Sequence, residues 1–93
     1  MTSWRRTRAL LRVAAALLAE PDARHYGYPL SKASGVRSGT LYPMLDRLLR
    51  EGWITDGWSP QATRGGDRRF YRLTDAGRAA LTEIVEGGSP WAG

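Results

Sequence analysis

The chain has 93 residues and no cysteine, which excludes disulfides, zinc–thiolate sites and a cysteine nucleophile and leaves nothing that argues for an oxidising compartment. At this length one small domain over residues 1–93 is expected, with a single modest core and little surplus stability, so pairing with a second copy would help it. The formal net charge of +5 is carried almost wholly by arginine, which forks onto phosphates and bases; polyanions are the expected partners, and a merely solvated basic surface is the plainer alternative.

Residues 5–19 carry a helical pattern. Leu10, Val13, Ala14, Leu17 and Leu18 make an apolar stripe suited to a core, while Arg5, Arg8 and Arg12 make a second, basic stripe. The basic stripe reads first as a solvated face, with DNA contact as a rival, and Leu11, Ala15 and Trp4 could serve a dimer contact. Trp4 precedes any ordered pattern, so it is either loose or packed against something, another chain included. The apolar run 10–19 contains Arg12, ends at Glu20-Pro21, lacks a cleavage site and is too short to span a bilayer. No leader and no membrane segment are expected, and the location should be cytoplasmic.

His25-Tyr26-Gly27-Tyr28-Pro29 reads as a turn-rich link, with Pro29 opening a short helix that reaches Ser34. Gly35 suits a left-handed helix cap. Beyond it, Leu41, Met44, Leu45, Leu48 and Leu49 fall at the spacing of an amphipathic helix that Gly52 ends. Pro43 cannot donate to the carbonyl four residues back, which places the regular start near Gly39 or Thr40; if Ser38 is the cap, the first turn must be irregular. Gly39 leaves the backbone bare there. The face free of leucines carries Arg37, Ser38, Thr40, Asp46, Arg47 and Arg50, and its N-terminal end suits a phosphate. Residues 29–52 thus read as a helix-turn-helix, whose second helix can enter a major groove.

Two runs rich in aromatic and β-branched residues, 53–58 and 69–73, flank a loop with proline and paired glycines, so 53–73 is expected to be a hairpin. Its tip, Arg64-Gly65-Gly66-Asp67-Arg68-Arg69, sets three arginines around a turn, the arrangement of a wing that reaches phosphates or a minor groove. A loop with solvated charges is the plainer reading. Thr74 should cap a closing helix over 75–86 that holds Ala76, Ala80, Leu81, Ile84 and Val85, and Gly87-Gly88 should end it before a tail over 87–93 containing Trp91. That helix is too brief for a long coiled-coil seam, so a dimer would combine it with the first helix. The expected fold is mainly α with a small β-hairpin (α+β), a winged helix-turn-helix.

Catalysis fits poorly. The chain has one histidine, His25, in a turn, no glycine-rich phosphate loop opening a long helix and no clustered carboxylates, so no catalytic residue, cofactor or metal is expected.

Leu17-Leu18-Ala19-Glu20, His25 to Leu30, Ser38-Gly39-Thr40-Leu41-Tyr42-Pro43, Arg64-Gly65-Gly66 and Tyr71-Arg72-Leu73-Thr74 together resemble the PadR-like transcriptional regulators, a winged helix-turn-helix group. The resemblance extends from Leu17 to Leu81, and the Gly-Thr-Leu-Tyr-Pro run is its most specific part. It implies a homodimer on an inverted-repeat DNA operator, usually a repressor, with the second helix in the major groove and the wing alongside. By that pattern Ser38, Thr40, Tyr42 and Pro43 lie at the DNA surface, with Lys32 and Arg47 on phosphates and Arg64, Arg68 and Arg69 in the wing. Arg37 and Gly39 join them from the helix start. Tyr42 lies off the leucine stripe, where its hydroxyl can face a phosphate. The family generally has a longer C-terminal helix, whose dimer interface can hold a small-molecule effector, and often Tyr-Glu where this chain has Tyr28-Pro29. An accessory DNA-binding factor of a plasmid or phage, serving partition, recombination or DNA architecture, is the alternative role.

Overall fold

The computed structural model describes residues 4–60 and 68–87, in the order α1 (Arg8–Ala19), β1 (His25–Tyr26), α2 (Gly27–Ser34), α3 (Ser38–Glu51), β2 (Ile54–Ser59), β3 (Arg68–Leu73) and α4 (Asp75–Val85). Four helices surround one core and a small antiparallel sheet closes one side, which is a winged helix-turn-helix. Leu10, Val13, Ala14 and Leu17 of α1 meet Leu30, Val36, the α3 leucines Leu41, Leu45 and Leu48, then Ile54, Tyr71 and Leu81, all buried. Among the described residues no helix is long and apolar enough to cross a membrane.

α1 starts at Arg8, three residues later than its charge pattern suggests, because Thr7 caps it: the Thr7 hydroxyl accepts from the Leu10 N–H at 3.1 Å. The segment before it is tied to α4 by Arg6, whose Nε donates to the Ile84 carbonyl at 3.0 Å. Trp4 is packed within its own chain, stacked on Trp53 with ring centroids 5.3 Å apart.

The expected link at His25–Pro29 is in fact a strand followed by a helix start. His25 and Tyr26 pair with Tyr71 and Phe70, so the wing is a three-stranded sheet in the order β1-β3-β2 and not a bare hairpin. α2 begins at Gly27, which leaves Pro29 in the first turn, where its missing N–H costs nothing. The turn between α2 and α3 is fixed by three small residues. Gly35 takes the left-handed conformation (φ 73°), the Ser31 hydroxyl donates to the Val36 carbonyl at 2.7 Å, and the Ser34 hydroxyl accepts from the Val36 N–H at 3.1 Å. Val36 is thereby buried, and α3 leaves the turn in one direction.

α3 begins at Ser38, earlier than Pro43 led us to expect, with Arg37 at the cap position and no side-chain capping bond. The Arg37 carbonyl accepts from both the Thr40 and Leu41 N–H groups, and the proline falls late enough that only the Gly39 carbonyl is denied a donor. At the other end Gly52 (φ 77°) and Trp53 donate back to Leu49 and Leu48, a Schellman motif. Thr74 then joins three elements: its hydroxyl donates to the Gly52 carbonyl at 2.7 Å and accepts from the Gly77 N–H at 2.9 Å, while its own N–H reaches the Trp53 carbonyl. On α4 the buried positions are Gly77 and Leu81; Ala76 and Val85, expected in the apolar stripe, are exposed. Gly77 is buried because α4 crosses the Trp53 backbone so closely that a Cβ would overlap its carbonyl oxygen.

Candidate nucleic-acid interface

α3 presents one exposed face. At 3.6 residues per turn, Gly39, Pro43, Asp46 and Arg50 share its centre, Tyr42 lies on one flank, and Thr40 and Arg47 lie on the other. All but Arg47 are exposed, as are Arg37 and Ser38 at the helix start and Lys32 in the last turn of α2.

The Tyr42 flank continues into the wing. Tyr42, 44% exposed, lines a cavity of about 270 Å³ with Tyr26, Tyr28, Tyr71, Arg68 and Arg69. Its ring lies over Gly27, where a Cβ would overlap the Tyr42 hydroxyl. The Arg68 guanidinium stands 4.1 Å above the Tyr26 ring, a cation–π contact, and the Tyr26 hydroxyl shares a 3.1 Å hydrogen bond with Ser59 Oγ. That bond, followed by Arg24 and Arg68 nearby, holds the Tyr26 phenol below its ordinary value against the opposing effect of burial. Arg69 is committed to its own sheet: its Nε and one terminal nitrogen donate to the same Asp56 oxygen, and its guanidinium lies 5.1 Å from the Tyr71 ring. Burial pushes the Tyr71 phenol up, and Arg69 offsets this only in part.

The opposite flank carries a wider groove of about 500 Å³, in which Thr40, Pro43 and Arg47 face Trp4 and Arg5. Arg47 is half-buried, with its guanidinium 3.8 Å above the Trp4 ring.

Of the residues singled out from sequence, Arg37, Ser38, Gly39, Thr40, Tyr42 and Pro43 share the exposed end of α3, and Arg68 and Arg69 reach it through the Tyr42 cavity. Arg47 reaches it only from the Trp4 side, Lys32 stands one helix away with its ammonium 5.5 Å from the Tyr28 ring, and Arg64 lies outside the described residues. Sequence reasoning missed the wall made by Tyr26, Gly27 and Tyr28, and missed Asp56 as the partner of Arg69. Neither carries a local signal, because β1 exists only through pairing with β3 and Asp56 meets Arg69 only across the β2–β3 ladder. The arrangement offers cations, hydroxyls and bare backbone on one convex helix face beside a cationic strand pair, which suits a grooved polyanion.

The profile of the "Transcriptional regulator PadR-like family" matches residues 17–83. A transcriptional regulator of Mycobacterium tuberculosis, Rv3488, is 44% identical over 68 residues, which are 73% of this chain and 55% of that protein; the chain thus spans about half the length of this relative. Among solved structures, a PadR-like transcriptional regulator from Bacillus cereus superposes with a TM-score of 0.65 at 26% identity, covering 86% of this chain and 82% of its own. A PadR family transcription regulator from Clostridium difficile does so with a TM-score of 0.67 at 25% identity, covering 88% of each chain. With a family match over most of its length and the winged-helix geometry in place, this chain belongs to the PadR-like transcriptional regulators.

Proposed function

We propose that the chain is a sequence-specific double-stranded-DNA-binding regulator, acting as a homodimeric repressor on an inverted-repeat operator in the cytoplasm and not as an enzyme. α3 lies in the major groove with Ser38, Thr40, Tyr42 and Pro43 toward base edges and the adjoining backbone, Gly39 letting the main chain approach. Arg37, Lys32 and Arg47 meet phosphates, Arg47 from its position on Trp4. Arg64 and Arg68 do so from the wing, and Arg69 shares its charge between a phosphate and Asp56. The observation that carries this reading is the Tyr42 cavity, which makes the α3 face and the Arg68 side of the wing one continuous surface. Pairing through α1 and α4 is supported by the adjacency of these helices and by the exposure of Ala15 and Val85. A small-molecule effector, if the protein answers to one, would sit at that junction.

Genome-wide footprinting tests the whole reading, since the symmetry of the occupied sites reports the dimer and their position reports the role. Palindromic sites overlapping promoters are expected. Asymmetric sites would remove the homodimer, and palindromic sites lying away from promoters would favour an accessory role in partition or recombination. Absence of salt-sensitive binding to any duplex would remove DNA binding itself.

A further inference from the structure

A second basic surface adjoins the α3 face on the side away from the wing. Arg8 and Arg12, one turn apart on α1, converge with Arg37 around the glycine turn that leads into α3, and the three line a cleft of about 290 Å³ with Gly35, Val36 and Thr40. The Arg12 guanidinium lies 3.8 Å from where a Cβ on Gly35 would stand, ordinary contact distance, so Arg12 rests beside the left-handed turn that Gly35 makes. All three arginines are exposed, no carboxylate lines the cleft, and among the described residues none of the three forms an ion pair. Their positions also oppose the helix dipoles. Arg8 is the first residue of α1 and Arg37 caps α3, and neither first turn holds an acidic residue to offset them. Arg8 and Arg37 at two helix starts, with Arg12 one turn further along α1, gather three exposed like charges whose repulsion an anion would relieve.

The geometry points to a duplex backbone phosphate as that anion: Arg8 and Arg12 extend the DNA interface from α3 onto α1, seating the strand that flanks the half-site. This rests on the DNA-binding reading above, and Thr40 supports it by lining both this cleft and the groove along α3. A phosphate in the cleft would meet Arg8 and Arg12 from α1 and Arg37 from the start of α3, with the Thr40 hydroxyl as a further donor. Arg8 and Arg12 both precede residue 17, where the family match begins.

The test is the salt dependence of binding to a long random-sequence duplex, because a phosphate contact is independent of sequence. Arg8→Ala/Arg12→Ala should lower the slope of log affinity against log salt by about 1, the value of one phosphate contact. The Arg8→Lys/Arg12→Lys protein should keep most of the slope, and all variants should retain the wild-type melting temperature, since both residues are exposed. Arg78→Ala, which removes a charge from the exposed surface of α4, should leave the slope unchanged. An unchanged slope in the double alanine variant, with Arg68→Ala still lowering it, would overturn the cleft contact and leave the DNA-binding reading intact. An equal fall with Arg78→Ala would reduce the effect to net charge and overturn it as well. Failure of the wild-type protein to bind any duplex would remove both readings together.

Discussion

Arg69 donates to one oxygen of Asp56 at 2.9 and 2.7 Å, a pair that crosses diagonally between β2 and β3, where Asp56 faces Tyr71 and Arg69 faces Trp58. The two arginines of the wing root are therefore unequal. Arg68 rests on an aromatic ring and keeps its charge available, whereas Arg69 arrives partly neutralised. Arg68→Ala should weaken duplex binding and lower the salt slope more than Arg69→Ala. Asp56→Asn should strengthen binding and steepen the slope by up to about 0.9 as Arg69 is released. With both side chains 37% exposed, stability should move by no more than about 1 kcal/mol in either variant. Titrations at several salt concentrations, paired with urea unfolding, separate the two effects.

Gly77→Ala should destabilise the fold by roughly 1–3 kcal/mol, as overpacking against a rigid neighbour does. A helix interior normally gains about 1 kcal/mol from this exchange, so the sign alone is diagnostic. The added methyl overlaps the Trp53 carbonyl, which is backbone at the joint of α3, β2 and α4 and cannot swing aside. Thermal unfolding reads the result, and a rise in melting temperature would contradict the close crossing.

Gly39→Ala should do the opposite. Nothing stands within 4 Å of the added methyl, so stability should rise by about 0.4–1 kcal/mol while duplex affinity falls, because the methyl occupies the bare end of α3. Measuring melting temperature and affinity on the same preparation checks both directions at once.

Gly27→Ala acts through another side chain. The new methyl displaces Tyr42, whose far end can rotate away, so the fold should tolerate it while the preference among duplex sequences changes. Binding selection from a randomised duplex pool would show a shifted motif similar to that of Tyr42→Ala.

Alkaline pH should destabilise the protein through Tyr71. Its phenol is buried and its folded value lies above the ordinary 10.0, so below pH 10 both states are protonated and the group has no pH effect. As pH rises through 10 the unfolded chain ionises first, and stability falls until the folded phenol also ionises. Tyr71→Phe should flatten this limb of a urea-midpoint against pH curve, leaving the neutral-pH midpoint little changed.

The helix-turn-helix was readable because its determinants are local. The leucine stripe of α3, the left-handed glycines Gly35 and Gly52 and the Thr74 cap each act within a few residues, and each stands where local chemistry places it. Where local signals compete, the helix starts lie one to three residues from where the pattern puts them. Arg5 continued a basic stripe that Thr7 in fact interrupts, and Pro43 argued against a start that Arg37 makes with its carbonyl alone. Tyr26 lay beyond any local signal, since two residues become a strand only when β3 offers an open edge.

The order of amino acids alone settles which helices form, to within a turn of their ends, and that the chain is rich in arginine, because propensity, periodicity and charge belong to single residues and their near neighbours. Which arginines are free is decided only by folding. Asp56 claims Arg69, Trp4 carries Arg47, and Arg12 and Arg37 line one cleft, each through contacts between segments far apart in the chain. The electrostatic field and desolvation around a charge depend on all the groups within a few ångströms of it, and only the packed chain determines which those are.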